Sequence, residues 1–119
     1  LNTKQLSELA IAALEELKGQ DIVCLNVQDL TQITDFMIIV TGTSTTHLRS
    51  MADEVGKRVK GTGGEVLGEE GRLQAEWILV DLGGVVVHVM LARTRALYSL
   101  EDLWNFGSIS ASAGTEGED

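Results

Sequence analysis

The stretch "EWILVDLGGVVVHVML", residues 76–91, limits the folds open to this chain more than any other. Two β-prone runs flank Gly83-Gly84, a two-residue loop that suits a hairpin because glycine accepts positive φ. With that loop Leu82 faces Val85, and the pairs follow: Asp81 with Val86, Val80 with Val87, Leu79 with His88, Ile78 with Val89, Trp77 with Met90. Alternation divides these residues between two faces. One carries Ile78, Val80, Leu82, Val85, Val87 and Val89, all aliphatic, and is expected to lie under helices. The other carries Trp77, Leu79, Asp81, Val86, His88 and Met90. Bulky apolar groups mixed with an acid and an imidazole suit a face that receives a partner. His88 is expected either to pair with Asp81 across the hairpin or to be held at an interface.

The remaining periodicity supplies the covering layer. Leu6, Leu9, Ala10, Ala13, Leu14 and Leu17 recur at helical spacing, with Asn2 and Gln5 as a capping box and Lys18-Gly19 as the end. Leu48, Met51, Ala52, Val55 and Val59 form a second stripe, closed by Lys57, Arg58 and Lys60 before Gly61. "DIVCLNV" (21–27) and "FMIIVT" (36–41) read as strands deep in the sheet, since near-continuous hydrophobicity belongs to strands covered on both faces. "GEVLG" (64–68) reads as a short edge strand and "EEGR" after it as a turn. Ser99 with Asp102 resembles a capping box, predicting a short helix through Leu100, Leu103 and Trp104, with Arg93, Arg95 and Tyr98 just before it. The fold class is α/β: one domain over residues 1–106, a sheet flanked by helices.

Composition narrows the function. At 119 residues and 44% hydrophobic, the chain can bury a core without disulfides or metal. It has no apolar run long enough to span a bilayer and no secretory-signal layout, so it reads as soluble. A net charge of −9 argues against a sequence-specific nucleic-acid binder, which needs clustered Lys and Arg, and favours a basic partner. The tail 107–119, with Glu116, Glu118 and Asp119, is expected to be acidic, disordered and solvated. Cys24 cannot form an internal disulfide and is expected to be a buried filler thiol.

Catalytic chemistry is sparse. In "TGTSTTH" (41–47) a strand ends before a hydroxyl-rich helix start, where free N–H groups could hold an anion. No lysine follows to make a P-loop, and Ser44 or Thr43 is explained as an N-cap. His47, His88 and Cys24 lack metal-ligand spacing, so neither a metal nor a cofactor is expected. Asp29 and Asp35 read as turn formers. A nucleotidyltransferase would need alternate carboxylates after a Gly-Ser turn, whereas the helix after "GTS" offers the adjacent Asp53-Glu54.

"GQDIVCLNV", "ITDFMIIVTGTSTTH", "AEWILVDLGGVVVHVM" and "LYSLEDLW" together resemble the ribosomal silencing factor (Iojap-like) family in order and spacing, from about Leu6 to Trp104. The resemblance implies a nucleotidyltransferase-like α/β fold, a mixed sheet flanked by helices, without catalysis. It also implies a cytoplasmic protein, often a homodimer when free, that binds the large ribosomal subunit through ribosomal protein fourteen. By standing at the joining face, such a protein keeps the small subunit off and represses translation under nutrient limitation. The contact surface it implies comprises Trp77, Asp81, His88, Met90, Tyr98, Leu100, Glu101, Leu103 and Trp104. Gly84, where the family often has an acid, and Thr46, where it often has a basic residue, depart from the pattern. A dimeric adaptor unrelated to ribosomes remains a different reading.

Overall fold

Seven-residue β2, Phe36–Gly42, lies at the heart of the sheet because apolar cover on both sides matches its unbroken hydrophobicity. The computed structural model describes residues 1–100 and Asp102. Its elements run α1 (Thr3–Glu16), β1 (Gln20–Asn26), β2, α2 (Thr45–Gly61), β3 (Gly68–Glu70), β4 (Trp77–Asp81), β5 (Val85–Leu91) and α3 (Ala92–Tyr98). The sheet order is β1-β2-β5-β4-β3, with β2 and β5 parallel and the other neighbours antiparallel. This is an α/β domain with a mixed sheet flanked by helices. Of the helix expected after Ser99, Leu100 and Asp102 are helical, while Leu103, Trp104 and the acidic tail lie outside the described residues.

The hairpin pairs as its alternation requires: Trp77 with Met90, Ile78 with Val89, Leu79 with His88, Val80 with Val87 and Asp81 with Val86. Its turn closes with the Leu82 N–H donating to the Val85 carbonyl at 2.9 Å, and Gly83 has φ +88°. Glycine at the first central position with positive φ matches the strand twist without strain. The aliphatic face lies under α1 and α2, where Ile78, Val80, Val87 and Val89 meet Ala10, Ala13, Leu14, Leu48, Met51 and Val55.

Helix starts follow local chemistry. Asn2 and Gln5 form a reciprocal capping box at α1, and the Ser44 side chain accepts from the His47 N–H at 3.1 Å at α2. Such a cap contributes about 1 kcal/mol. The two helices are tied together at their flanks: Arg58 bonds both Glu54 on its own helix and Glu16 on α1.

Four expectations are corrected. β1 is an edge strand, bonded to β2 alone. Its run is apolar because both faces are partly covered, Ile22 toward the helices and Leu25 toward a second cluster beyond the sheet. Cys24 is accordingly exposed rather than buried. Its thiol pKa is raised by partial desolvation, opposed by a hydrogen bond from Ser7, which leaves it a weak nucleophile. The edge strand β3 begins at Gly68, later than the hydrophobic stretch suggests, so Glu69 and Glu70 are strand and the turn starts at Gly71. Arg93, Arg95 and Tyr98 do more than precede the helix expected after Ser99: they form one of their own, α3, which starts directly after β5. Ser99, at φ 48° and ψ 47°, ends it, donating its hydroxyl to the Ala96 carbonyl.

The hairpin turn is also a docking point for the N-terminal half. The Gly84 carbonyl accepts from the N–H groups of Asp35 and Phe36 at 3.0 and 3.1 Å, and the Thr3 hydroxyl donates to Asp35 Oδ2 at 2.8 Å. A Cβ on Gly84 would overlap Thr3 Cγ2. Gly84→Ala should therefore lower stability by about 1–3 kcal/mol through overpacking. Adding Thr3→Ser, which deletes that methyl and keeps the hydroxyl, should restore much of the loss. Urea unfolding of the two variants measures both effects, and an undiminished midpoint in Gly84→Ala alone would refute the close approach.

Candidate partner-binding face

The side of the sheet away from α1 and α2 is built by four strands, β1, β2, β4 and β5. Met90 and Trp77 from the hairpin join Met37 and Ile39 of β2, Leu25 of β1, Val27 and Leu30 of the loop after β1, and Leu100 beyond α3. The parallel register of β2 on β5 places Met37 beside Val86 and Ile39 beside His88. Sequence reasoning missed these β1 and β2 members. Alternation in "FMIIVTG" marks Met37 and Ile39 as one face, but only the long-range pairing says which.

The expected site residues divide by depth. Trp77 is half-buried and Tyr98 is 55% exposed. Their rings meet with centroids 4.8 Å apart at 50°, the tilted arrangement that aromatic quadrupoles favour. Leu100 is half-buried beside them. Met90 is fully buried and His88 only 6% exposed, so both lie beneath the surface that a partner would touch. Asp81 stands at the other end of the strand, about 13 Å along it from Trp77 at roughly 3.3 Å per residue. Glu101, Leu103 and Trp104 lie outside the described residues.

His88 does not pair with Asp81. The Asp81 Oδ1 accepts from the Gly83 N–H at 2.8 Å, a local turn bond that commits the carboxylate. His88 Nδ1 instead accepts from the Trp77 indole Nε1–H at 2.9 Å, across the diagonal of the hairpin. Since an indole N–H can only donate, Nδ1 is the bare nitrogen and the neutral ring carries its proton on Nε2. Burial alone pushes the His88 pKa down to about 4.

The other candidate chemistry is spent on structure. His47 Nε2–H donates to the Leu17 carbonyl at 2.7 Å, so its Nδ1 accepts from the Thr43 N–H at 3.0 Å. The ring thus joins the end of α1 to the start of α2 and leaves no base free for Ser44. Asp53 is paired with Arg72 at 2.8 Å and Glu54 with Arg58 at 2.9 Å. Asp35 is the acceptor for Thr3 described above. Among the described residues no three His, Cys, Asp or Glu side chains gather as a metal site, and no helix is long and apolar enough to cross a membrane.

The neutral state of His88 sets a pH dependence. Its folded pKa of about 4 lies below the unfolded value of 6.5, so between these values the unfolded chain binds more protons and stability rises with pH. Acidification from pH 6.5 to 4 should remove up to about 3 kcal/mol through this group. Urea unfolding across that interval should show a shallower slope in His88→Asn than in the parent, since the carboxylates are common to both. Equal slopes would remove His88 as the source.

Comparison with known proteins agrees with the architecture. Residues 1–118 match the family model "Ribosomal silencing factor during starvation". The chain is 46% identical over 99 residues to ribosomal silencing factor RsfS of Haemophilus influenzae, covering 83% of this chain and 97% of the relative. It is 33% identical over 104 residues to the mouse protein named mitochondrial assembly of ribosomal large subunit protein 1, covering 85% of this chain and 46% of that one. A crystal structure of a Chromobacterium violaceum protein superposes with a TM-score of 0.86 at 38% identity, covering 99% of this chain and 92% of the other. The chain belongs to the ribosomal silencing factor family.

Proposed function

We propose that this chain binds the large ribosomal subunit through ribosomal protein fourteen and sterically blocks joining of the small subunit, repressing translation when nutrients are limited. The observation that carries the reading is the Trp77–Tyr98 ring pair, standing on the sheet face that α1 and α2 leave uncovered. Half-exposed aromatics over a packed apolar base are the usual anchors of an interface, because they bring large area at little cost in side-chain entropy. The mouse relative's name refers to the large ribosomal subunit, which supports that subunit as the target. A net charge of −9 suits a basic ribosomal surface.

The contact core of this reading is Trp77, Tyr98 and Leu100, and the family resemblance adds Leu103 and Trp104 to the contact residues. Asp81 and Glu101 act as rim charges, and His88 and Met90 support the core from below. A steric mechanism asks for a firm hold on one side and bulk on the other, and needs no catalytic group. The protein acts in the cytoplasm, without cofactor or membrane.

Purified subunits give the direct test: the parent should inhibit joining, and Trp77→Ala should weaken large-subunit binding by about 2 kcal/mol or more, at least some thirtyfold. No inhibition by the parent would end the reading. Equal inhibition by Trp77→Ala would move the contact to another face.

The same half-exposed apolar face should support self-association of the free protein, since apolar patches of this kind mark interaction sites. Sedimentation at high micromolar concentration should give a dimer that Trp77→Ala weakens. A monomer under those conditions would exclude the homodimer.

A further inference from the structure

We propose that His88 is the positioning residue of the docking face, its Nδ1 lone pair holding the Trp77 indole in the orientation that the partner meets. The inference rests on the reading of Trp77 as an anchor.

His88 interrupts an otherwise aliphatic strand, with Val87, Val89 and Leu91 on the helix side and Met90 on its own. At 6% exposure it adds little contact area of its own. A valine or leucine would fill such a place without burying a polar ring, and burying polar groups is costly unless they are bonded. The hydrogen bond it makes goes to the Trp77 indole at 2.9 Å, with the ring centroids 5.9 Å apart. Trp77 opens β4, half-exposed, where a side chain with two free torsions has several staggered positions to choose from. His88 fixes the N–H edge of the indole and Tyr98 packs against the ring. An anchor held in this way loses less freedom when a partner arrives, and releasing it should weaken binding about three- to tenfold.

The experiment pairs a spectrum of the free protein with binding to purified large subunits. The indole N–H signal of Trp77, identified by its loss in Trp77→Phe, should exchange slowly with water in the parent and rapidly in His88→Leu. His88→Leu should bind about three- to tenfold more weakly. His88→Asn places Oδ1 where Nδ1 stood, and should retain both the slow indole signal and binding within about twofold of the parent. In the Trp77→Phe background, where there is no N–H to orient, adding His88→Leu should change affinity by less than about twofold. Parent-like binding by a folded His88→Leu protein with a fast-exchanging indole would overturn the proposal. So would an equal loss from His88→Leu in the Trp77→Phe background, since His88 would then act through the fold at large. If His88→Leu does not fold, His88→Asn decides: a fast-exchanging indole with parent-like binding overturns the proposal, and slow exchange with parent-like binding supports it. Failure of the unsubstituted protein to bind subunits would instead defeat the underlying reading, before any variant is compared.

Discussion

The parallel pairing of β2 with β5 is the contact on which the rest of the molecule depends. It runs from Phe36 beside Val85 to Gly42 beside Leu91, and joins the N-terminal α1-β1-β2 unit to the C-terminal hairpin. Parallel neighbours cannot be joined by a tight turn, so the chain must cross over, and α2 supplies the crossover on the helix side of the sheet. The register is fixed at one end, where the Gly84 carbonyl takes the N–H groups of Asp35 and Phe36. A shift of one residue would exchange the faces of β5, sending Val87 and Val89 out from under the helices and His88 in.

That pairing also explains why the two sides of the sheet differ in use. α1 and α2 both pack on one side, joined by the His47–Leu17 bond and by Arg58 between Glu16 and Glu54, so the aliphatic core is closed there. On the opposite side, among the described residues, the loop after β1, Leu100 and Tyr98 give the cover. Met90 and Ile39 are sealed by these pieces, whereas Trp77, Leu79 and Val86 keep part of their surface. A face with a dry base and half-open aromatics has the layering of an interface core before its partner arrives.

What could be read from the sequence followed the range of the interactions. The hairpin register, both long helices and their caps depend on neighbours a few residues apart, and alternation, spacing and cap residues record such neighbours directly. β1 was misplaced because a continuous apolar run does not distinguish cover by two sheet neighbours from cover by one neighbour, a helix and a loop. The exposure of Cys24 follows from that one difference. Arg93 to Tyr98 gave too short a pattern to mark α3, whose start has no side-chain cap. Of the expected site, Trp77 and Tyr98 proved adjacent through a fold-back that no local pattern carries, and Asp81 proved remote from them. Of the two alternatives for His88, pairing with the acid across the strand fails because a turn N–H two residues along has the stronger geometric claim on that carboxylate.

The fate of the polar groups bears on function as much as the apolar face does. The strand-to-helix junction at Thr41–His47 has the raw materials of an anion cradle or a Ser/His pair, yet three of its groups have structural employers: Ser44 caps α2, His47 bridges two helices, and Thr41 Oγ1 accepts from Arg95 at 2.8 Å. A catalytic base needs an unspent lone pair within reach of a proton, and His47 has both ring nitrogens occupied. The adjacent acids Asp53 and Glu54 are likewise held by arginines on a helix flank. His88 spends its lone pair on the half-exposed indole of Trp77 rather than on the backbone or a cap. Among the described residues, the polar groups of the strand-to-helix junction and of Arg58 hold the helices together, and that of His88 is directed at the orientation of one indole, which is the use that a docking face built on that indole would have for it.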